Sequence, residues 1–381
     1  MPSIGRNVLG NLPEAIKLEW LVTNGLGGFA SSSIAGMNTR RYHGVLVATR
    51  APPVERILLV SRLEETLIYG GIEYPLSTNR YLKALHPSGY LFLERFESDP
   101  IPTWTYQIND VLLSKSLFMV YGHNTTVVTY KLFSSDRCVD LIVRPHFLFR
   151  DFHGNAHENP GFEDNSSLEE HGLSLMPFAN APKLFVAWDR GEFLLDGHWY
   201  KQNYLGEEDR RGLDPIEDDY SNGFLRVSNL SGNASIMFSD EPISSFNAID
   251  LRKREERRRE TIVHSVKTED LFLQKLLIAA DQFVVDRAST KGKSIIAGYP
   301  WFSDWGRDSL ISIPGITLIP GRFDDARSIL RSFAESIRNG LVPNCFADYG
   351  NDALYNSGPG RRPNLSRRKG LPTNLDGRKG G

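Results

Sequence analysis

The chain has 381 residues, of which 40% are hydrophobic and 24% are charged, and its formal net charge is -2 at pH 7. These values are typical of a globular protein long enough for two domains. The nearly balanced charge gives no reason to expect nucleic acid or an acidic membrane as a partner. No apolar run reaches the roughly 18 residues that a membrane helix needs. The two cysteines, Cys138 and Cys345, cannot form a disulfide framework, so we predict a cytoplasmic protein.

The first part of the chain, residues 1–250, has the pattern of an antiparallel β-sandwich. Its strand candidates are β-branched or alternating runs separated by turn residues, at 45–48, 56–60, 125–133 and 139–144. Hairpin turns are predicted at residues 70–71 (Gly-Gly) and 231–233 (Ser-Gly-Asn). Because amphipathic helices do not separate these strands, a sandwich is favoured over an α/β fold.

A glycine-rich segment at residues 24–30 resembles a nucleotide-binding loop only superficially. Ala30 stands where that loop needs its third glycine, and the serines that follow make a poor start for a helix. We therefore predict tight β-turns here and no nucleotide cofactor.

Two polar groups in this part have alternative interpretations. The segment 40–43 (Arg-Arg-Tyr-His) either faces a saccharide or forms a contact with a second domain, and the domain contact is favoured. A second group combines four histidines with two acids: His146, His153, His157 and His171 with Asp151 and Glu158. Their spacing fits neither a helical zinc motif nor a zinc knuckle, so we predict a polar loop after a strand and no metal site.

The pattern changes near residue 250. A mixed-charge run predicts a solvated linker helix over 251–267. Apolar residues at helical spacing then predict three helices, which begin near residues 268, 308 and 322. Residues 268–357 are therefore predicted to form a second, helical region.

The loop 298–309 between the first two of these helices concentrates chemistry suited to a sugar. Trp301 and Trp305 alternate with Asp304, Arg307 and Asp308. Indole rings pack against the apolar faces of pyranose rings, while guanidinium and carboxylate groups hydrogen bond to vicinal hydroxyls. The alternative is a buried aromatic turn closed by an Arg–Asp pair.

Three segments together resemble the bacterial and archaeal type of glycogen debranching enzyme, the amylo-α-1,6-glucosidases. They are 19–48 (EWLVTNGLGGFASSSIAGMNTRRYHGVLVA), 298–309 (GYPWFSDWGRDS) and 342–350 (VPNCFADYG). The resemblance covers about residues 1–357 and implies a β-sandwich followed by the first helices of an incomplete (α/α)6 barrel similar to that of glucoamylases. It implies glycogen or another branched α-glucan as the partner and leaves the oligomeric state open.

The resemblance also implies roles for the residues of the loop. Arg307 and Asp308 would hold hydroxyls of the non-reducing terminal glucose, and Trp301 and Trp305 would wall that subsite. Asp304 is assigned to sugar binding or to loop structure.

Asn344 and Asp348 are weaker candidates for the same pocket. An inverting hydrolysis of an α-1,6 bond needs a protonated and an ionised carboxyl group roughly 6.5–9.5 Å apart. In the family these carboxylates belong to later barrel loops, which this chain does not contain.

The family pattern stops after Ser357, and residues 358–381 are rich in Gly, Pro, Arg and Lys, so we expect a truncated, inactive chain with a disordered basic tail. The alternative is a non-catalytic α-glucan-binding or assembly module.

Overall fold

The computed structural model of the chain describes residues 3–133, 138–347 and 353–355. The strands are β1 (Ile4–Gly5), β2 (Glu19–Thr23), β3 (Phe29–Ser33), β4 (Gly44–Ala51), β5 (Val54–Tyr69), β6 (Ile72–Pro75), β7 (Thr78–Tyr81), β8 (Ala84–Ser88), β9 (Leu93–Glu97), β10 (Thr103–Ile108), β11 (Val111–Met119), β12 (Thr125–Leu132), β13 (Val139–Asp151), β14 (Ser167–Glu169), β15 (Gly172–Leu175), β16 (Leu184–Trp188), β17 (Glu192–Tyr204), β18 (Ile216–Val227), β19 (Asn233–Ser239), β20 (Val284–Arg287), β21 (Gly292–Ile295), β22 (Cys345–Phe346) and β23 (Ala353–Leu354). The helices are α1 (Arg6–Leu9), α2 (Leu12–Ala15), α3 (Gly206–Arg210), α4 (Ala248–His264), α5 (Leu271–Asp281), α6 (Gly306–Ile313) and α7 (Phe323–Glu335), with a 3₁₀ turn at Gly89–Phe92 and a π-helical turn at Pro314–Leu318.

Most of the described strands belong to two antiparallel sheets. Sheet A has nine strands within the described ranges, in the order β1-β9-β10-β11-β12-β19-β16-β15-β14. Sheet B has ten, in the order β2-β3-β4-β5-β13-β18-β17-β7-β8, with β6 added alongside β5. The prediction of antiparallel sheets in a sandwich-like arrangement is confirmed.

The main core lies between the two sheets. Every second side chain of β11, β12 and β19 points inward, and so do the facing side chains of β4, β5 and β13. Trp20 of sheet B meets Trp104 of sheet A edge to face, with ring centroids 5.2 Å apart. The indole of Trp104 also donates to the Ile34 carbonyl oxygen at 2.9 Å, so this buried ring has its polar atom satisfied.

One of the two predicted hairpins is present and the other is not. Gly70 and Gly71 have φ values of 62° and 77° and join β5 to β6, as a tight two-residue turn requires. Residues 228–232 form the turn that connects β18 to β19, which begins at Asn233, but β18 belongs to sheet B and β19 to sheet A. The second hairpin prediction is wrong, because this turn carries the chain from one sheet to the other.

The glycine-rich segment forms the turn of the β2–β3 hairpin, as predicted. Gly25 and Gly27 have φ values of 74° and 91°. A Cβ atom on Gly28 would lie 2.9 Å from the Val47 carbonyl oxygen. Asp286 of β20 donates its backbone N–H to the Gly25 carbonyl at 2.8 Å, so the turn also contacts the second part of the chain.

The mixed-charge run forms α4, which starts at Ala248 rather than at 251 and ends at His264. The side chain of Asn247 caps it by accepting from the backbone N–H of Asp250. Ion pairs between Glu255 and both Arg258 and Arg259 run along the helix. The start of α4 packs on the outer face of sheet A, so the helix is not entirely solvated.

Three helices follow within the described residues, α5, α6 and α7, close to the predicted positions. Asp270 caps α5 by accepting from two backbone N–H groups. The hairpin β20–β21 separates α5 from α6 and was not predicted. A small core gathers under α7 around Ile329 and Phe333.

The helical region leaves large apolar side chains in solvent. Leu271 is 71% exposed and Ile311 is 73% exposed. None of the helices in the described ranges is long and apolar enough to cross a lipid bilayer.

Candidate functional site

The candidate loop, residues 298–309, connects β21 to α6 and is anchored on the outer face of sheet B. Arg56 of β5 is buried, and its Nη1 donates to the carbonyl oxygens of Pro300 and Phe302, both at 3.3 Å. Tyr299 packs edge to face on Phe29 with ring centroids 5.5 Å apart. The first half of the loop is therefore held by the sandwich.

Aromatic rings surround the Arg56 guanidinium. Its central carbon lies 5.2 Å from the Tyr299 ring centroid, 5.3 Å from that of Phe152 and 5.8 Å from that of Phe29. A buried cation in such a cage is stabilised by the negative ring faces. Burial also raises the pKa of Tyr299, so its phenol stays neutral.

Trp301 leans towards the sandwich. The Arg40 guanidinium carbon lies 5.3 Å from its ring centroid, and the Tyr42 ring meets it edge to face at 6.5 Å. Arg40 in turn pairs with Glu19 at 2.7 Å. Burial opposes the charge of Glu19, yet the hydrogen bond and charge of His43, with those of Arg40, hold its pKa at about 2. The segment 40–43 thus contacts the second part of the chain.

Asp304 points into the protein, away from solvent. Its side chain is fully buried, accepts two hydrogen bonds from Nη1 of Arg287 at 2.8 and 2.7 Å, and accepts a third from Ser294 at 2.6 Å. Burial raises the pKa of Asp304, and the charge of Arg287 opposes this shift. Phe346 covers the guanidinium with its ring centroid 3.9 Å away. These contacts favour the loop-structure alternative for Asp304 over sugar contact.

Arg307 and Asp308 lie in the first turn of α6 and face solvent. Their side chains are 76% and 39% exposed, and Arg307 Nε lies 3.7 Å from Asp308 Oδ2. The helix begins at Gly306, two residues before the predicted start, and Trp305 occupies the N-cap position. The ring of Trp305 packs edge to face on Phe302 with centroids 5.7 Å apart.

Asn344 lies beside the start of α6. Its carbonyl oxygen accepts from the Gly306 N–H at 2.8 Å, and the neighbouring Cys345 forms a β-bridge with Trp305. A Cβ atom on Gly306 would lie 2.1 Å from the Pro343 carbonyl oxygen, so this close approach requires glycine. Asp348 lies outside the described residues.

The structure therefore divides the predicted site residues into three groups. Trp305, Arg307, Asp308 and Asn344 lie around the first turn of α6. Trp301 contacts the sandwich, and Asp304 is enclosed by the protein. Of the two carboxylates in the loop, only that of Asp308 is open to solvent.

Sequence reasoning missed Arg56 and Arg287. Arg56 lies among apolar residues within β5. Arg287 lies at the end of β20, after the apolar residues of that strand. A charge in an apolar strand is a usable signal, because buried charges are almost always paired. It does not identify the partner, which for Arg287 is 17 residues away in sequence.

The four histidines do not form a common site. His146 lies in β13, which runs on to Asp151, so its assignment to a loop after the strand is wrong; its Nδ1 lies 3.0 Å from Asp219. His153 bonds to Tyr42 at 3.1 Å, and the exposed His157 lies 3.7 Å from two aspartates. The part of the chain that the structure describes has no group of three or more His, Cys, Asp or Glu side chains that could hold a metal ion.

The fold and the loop agree with comparisons to known protein families. The family model described as glycogen debranching enzyme N terminal matches residues 18–236, and the model described as amylo-alpha-1,6-glucosidase matches residues 278–359. Since the first match alone covers more than half of the chain, the chain belongs to the glycogen debranching enzyme family. A glycogen debranching enzyme of Saccharomyces cerevisiae is 30% identical over 187 residues, which are 43% of this chain and 11% of the yeast protein.

Solved structures with some similarity include two carbohydrate-active proteins. A bacterial glucoamylase complexed with acarbose gives a TM-score of 0.46 at 12% identity, covering 89% of this chain and 52% of that chain. A glycosyl hydrolase of family gh92 gives a TM-score of 0.30 at 10% identity, covering 78% and 48% of the two chains. The chain thus spans about half the length of these structures.

Proposed function

We propose that this chain supplies the sugar-positioning part of a debranching glycosidase that acts on the α-1,6 branches of glycogen or a related α-glucan. The observation that carries the proposal is the exposed Arg307–Asp308 pair, which lies beside Trp305 in the first turn of α6. Membership of the glycogen debranching enzyme family supports the choice of substrate. Both cysteines are free thiols, which supports a cytoplasmic location.

The chemistry of this turn suits a terminal glucose. Asp308 can accept hydrogen bonds from two neighbouring sugar hydroxyls, and Arg307 can donate to a third. Trp305 offers an indole surface for the apolar face of the ring.

The helices α5, α6 and α7 belong, in this proposal, to the start of an (α/α)6 barrel. The match of residues 278–359 to the amylo-alpha-1,6-glucosidase model supports this assignment. So does the exposure of apolar side chains such as Leu271, Phe272 and Ile319, which further helices of a barrel would cover.

Hydrolysis needs more than this loop provides. An inverting glycosidase uses two carboxyl groups roughly 6.5–9.5 Å apart on either side of the scissile bond. The loop has one accessible carboxylate, Asp308, because Asp304 is bound to Arg287. We therefore propose that the chain alone binds the terminal glucose but does not release it, as in a non-catalytic α-glucan-binding module.

A binding assay tests the positioning role. Maltoheptaose is titrated into the full chain by calorimetry, before and after Asp308→Asn. The loss of a charge-assisted hydrogen bond should weaken binding about ten- to a hundredfold. The matched control is Asp324→Asn, since Asp324 also lies in the first turn of a helix and pairs with an arginine, Arg327. Equal affinities for all three proteins would exclude the pair from the site.

An activity assay tests the catalytic part of the proposal. Glucose release from a branched limit dextrin is expected to be absent for the chain alone, because acid–base catalysis contributes many powers of ten in rate. Turnover within about a hundredfold of an intact family member would contradict this expectation, since it would require an acid–base pair within the chain.

A further inference from the structure

A groove of about 480 Å³ lies on the outer face of sheet A, beside α4. The start of α4 packs on an apolar patch of this face that includes Phe118, Val127 and Met237. Beyond the patch the same face becomes polar, with Ser114, Ser116 and Ser235 buried and Lys131 and Asn233 exposed. The candidate loop contacts the outer face of sheet B, so the groove and the loop lie on opposite sides of the sandwich.

The strand register aligns polar side chains in two rows across the floor of the groove. The first row crosses four strands and consists of Thr103, Ser116, Thr129 and Ser235. The second row consists of Ser114, Lys131 and Asn233. Neighbouring strands lie about 4.7–4.9 Å apart, so each row presents one polar side chain per strand. Within the first row, the Thr129 and Ser235 hydroxyls bond to each other at 3.2 Å, and the Thr103 hydroxyl donates to the Ile101 carbonyl oxygen at 2.8 Å.

Part of this hydrogen-bonding capacity is unused. The Ser114 side chain is 8% exposed, and its hydroxyl has no partner among the described residues. The ammonium group of Lys253 likewise has no carboxylate partner in the described part of the chain. Other groups are already engaged, because Arg252 donates to Ser116 at 3.0 Å and pairs with Glu256 at 2.8 Å.

Apolar surfaces lie on both sides of the polar rows. Phe133 is 52% exposed at one side, with Lys131 Nζ 4.9 Å from its ring centroid. Ile249 of α4 is exposed at the other side. A polar floor between apolar walls matches a sugar chain, which has a hydroxyl edge and apolar faces.

We propose that this groove is a second α-glucan-binding site, which holds a short run of glucose units of the polymer whose branch end reaches the loop. This inference rests on the proposed function for the identity of the polymer. The volume lies within the roughly 300–1,000 Å³ of ligand sites. Two sites on one polymer raise its apparent affinity, because the second binding event becomes intramolecular.

The test uses maltoheptaose as the probe and the full chain as the protein. Ser114→Ala removes a free hydroxyl without changing the packing, and Lys131→Ala removes an exposed donor. Each should weaken binding at the groove about two- to tenfold, the effect of losing one hydrogen bond. Lys183→Ala is the matched control, since Lys183 also lies over a phenylalanine, Phe185, at 5.4 Å but outside the groove. It should leave binding unchanged.

The two proposed sites are separated by combining variants. In a chain with Trp305→Ala and Asp308→Asn, saturable binding of maltoheptaose should persist and should then weaken about two- to tenfold with Lys131→Ala. Hydrogen exchange in the presence of maltoheptaose should show added protection in β11, β12 and β19. If the loop variants leave the affinity for maltoheptaose unchanged while the groove variants weaken it, the groove is a glucan-binding site and the proposed function of the loop is wrong.

Two results would contradict the proposal that the groove binds an α-glucan. One is an unchanged affinity in both Ser114→Ala and Lys131→Ala when the loop site is already disabled. The other is saturation by inorganic phosphate with no binding of maltoheptaose, which would identify the lysines as part of an anion site.

Discussion

Arg287 and Asp304 form a buried ion pair in which a single guanidinium nitrogen, Nη1, bonds to both carboxylate oxygens at 2.8 and 2.7 Å. The two side chains are 1% and 0% exposed. The pair joins the end of β20 to the middle of the candidate loop. It therefore fixes the backbone that leads into Trp305 and the exposed Arg307–Asp308 pair.

Asp304→Asn should destabilise the helical region strongly. It leaves the Arg287 charge buried without its counter-charge, and breaking a buried pair in this way costs about 3–5 kcal/mol. Hydrogen exchange of the α6 amides at increasing urea concentration measures the loss of stability in the helical region. Asp308→Asn is the control, and its cost should stay within about 0.5 kcal/mol because Asp308 is partly exposed.

A double replacement checks the interpretation. Arg287→Met with Asp304→Leu removes both charges, so most of the stability lost in Asp304→Asn should return. If the double variant is less stable than Asp304→Asn, the pair contributes more than the neutralisation of one charge by the other.

Arg56→Met should loosen the loop while leaving the sandwich intact. The thioether side chain still fills the space between Phe29 and Phe152, but the hydrogen bonds to the carbonyls of Pro300 and Phe302 are lost. Each bond from a charged donor contributes about 1.5–3 kcal/mol. Backbone hydrogen exchange over residues 298–305 should therefore accelerate by about tenfold or more, with β12 unchanged.

Arg80→Met is the control for Arg56→Met. Arg80 also lies over an aromatic ring, that of Tyr204 at 5.1 Å, but at the far edge of sheet B. It should not change exchange in the loop. The same acceleration in both variants would show that Arg56 does not hold the loop.

The sandwich was predictable because its strands are β-branched or alternating runs, as in β13, where the buried Val139, Leu141 and Val143 alternate with less buried side chains. Such patterns depend only on the conformation of the local backbone. The strand with which each strand pairs was not predictable from the sequence. Residues 231–233 read as a hairpin, yet β19 pairs with β12, more than a hundred residues earlier in the chain. The β20–β21 hairpin was missed because Val284 continues the apolar stripe of α5. In the site, residue types indicated sugar chemistry, but the burial of Asp304 depends on Arg287, a tertiary contact.

The stability of the chain should depend on the protonation of Asp240. Burial, reinforced by the charge of Glu241, raises its pKa from 3.8 to about 6, against a hydrogen bond from Asn124 and the charge of His123. The folded state binds this proton more tightly than the unfolded state does. The contribution of protonated Asp240 to the free energy of unfolding is therefore fully present below about pH 4. It is lost as the pH rises through 6.

Asp240→Asn should remove this dependence. Relative to the unmodified chain, its free energy of unfolding should rise by about 1–3 kcal/mol between about pH 4 and pH 8, because one pKa unit corresponds to roughly 1.4 kcal/mol. Denaturant unfolding at several pH values measures the difference. Glu14→Gln, which removes an exposed ion pair with Lys17, serves as the control and should give a curve parallel to the unmodified chain.

Gly306→Ala should disturb the start of α6. The added Cβ atom would lie 2.1 Å from the Pro343 carbonyl oxygen, so the backbone must move and the hydrogen bond to Asn344 must lengthen. Overpacking of this kind costs about 1–3 kcal/mol. Gly315→Ala is the matched control, since its Cβ meets nothing within 4 Å and alanine favours a helix. Melting temperatures of the two variants should shift in opposite directions.

The two parts of the chain should differ in local stability. The sandwich has a continuous core between its sheets, whereas α5, α6 and α7 enclose a small core and expose Leu271, Phe272 and Ile311. Amide hydrogens in β11 and β12 should therefore exchange far more slowly than those in α5 and α7, because helices with few buried contacts open locally at low cost.

Exposed apolar stripes also favour association, so sedimentation should show oligomers that grow with protein concentration. Replacing Leu271 and Ile311 with glutamine should reduce the association without slowing exchange in α5. Equal protection of both parts in a monomeric sample would contradict this account, since it would show that the helical region is complete without further partners.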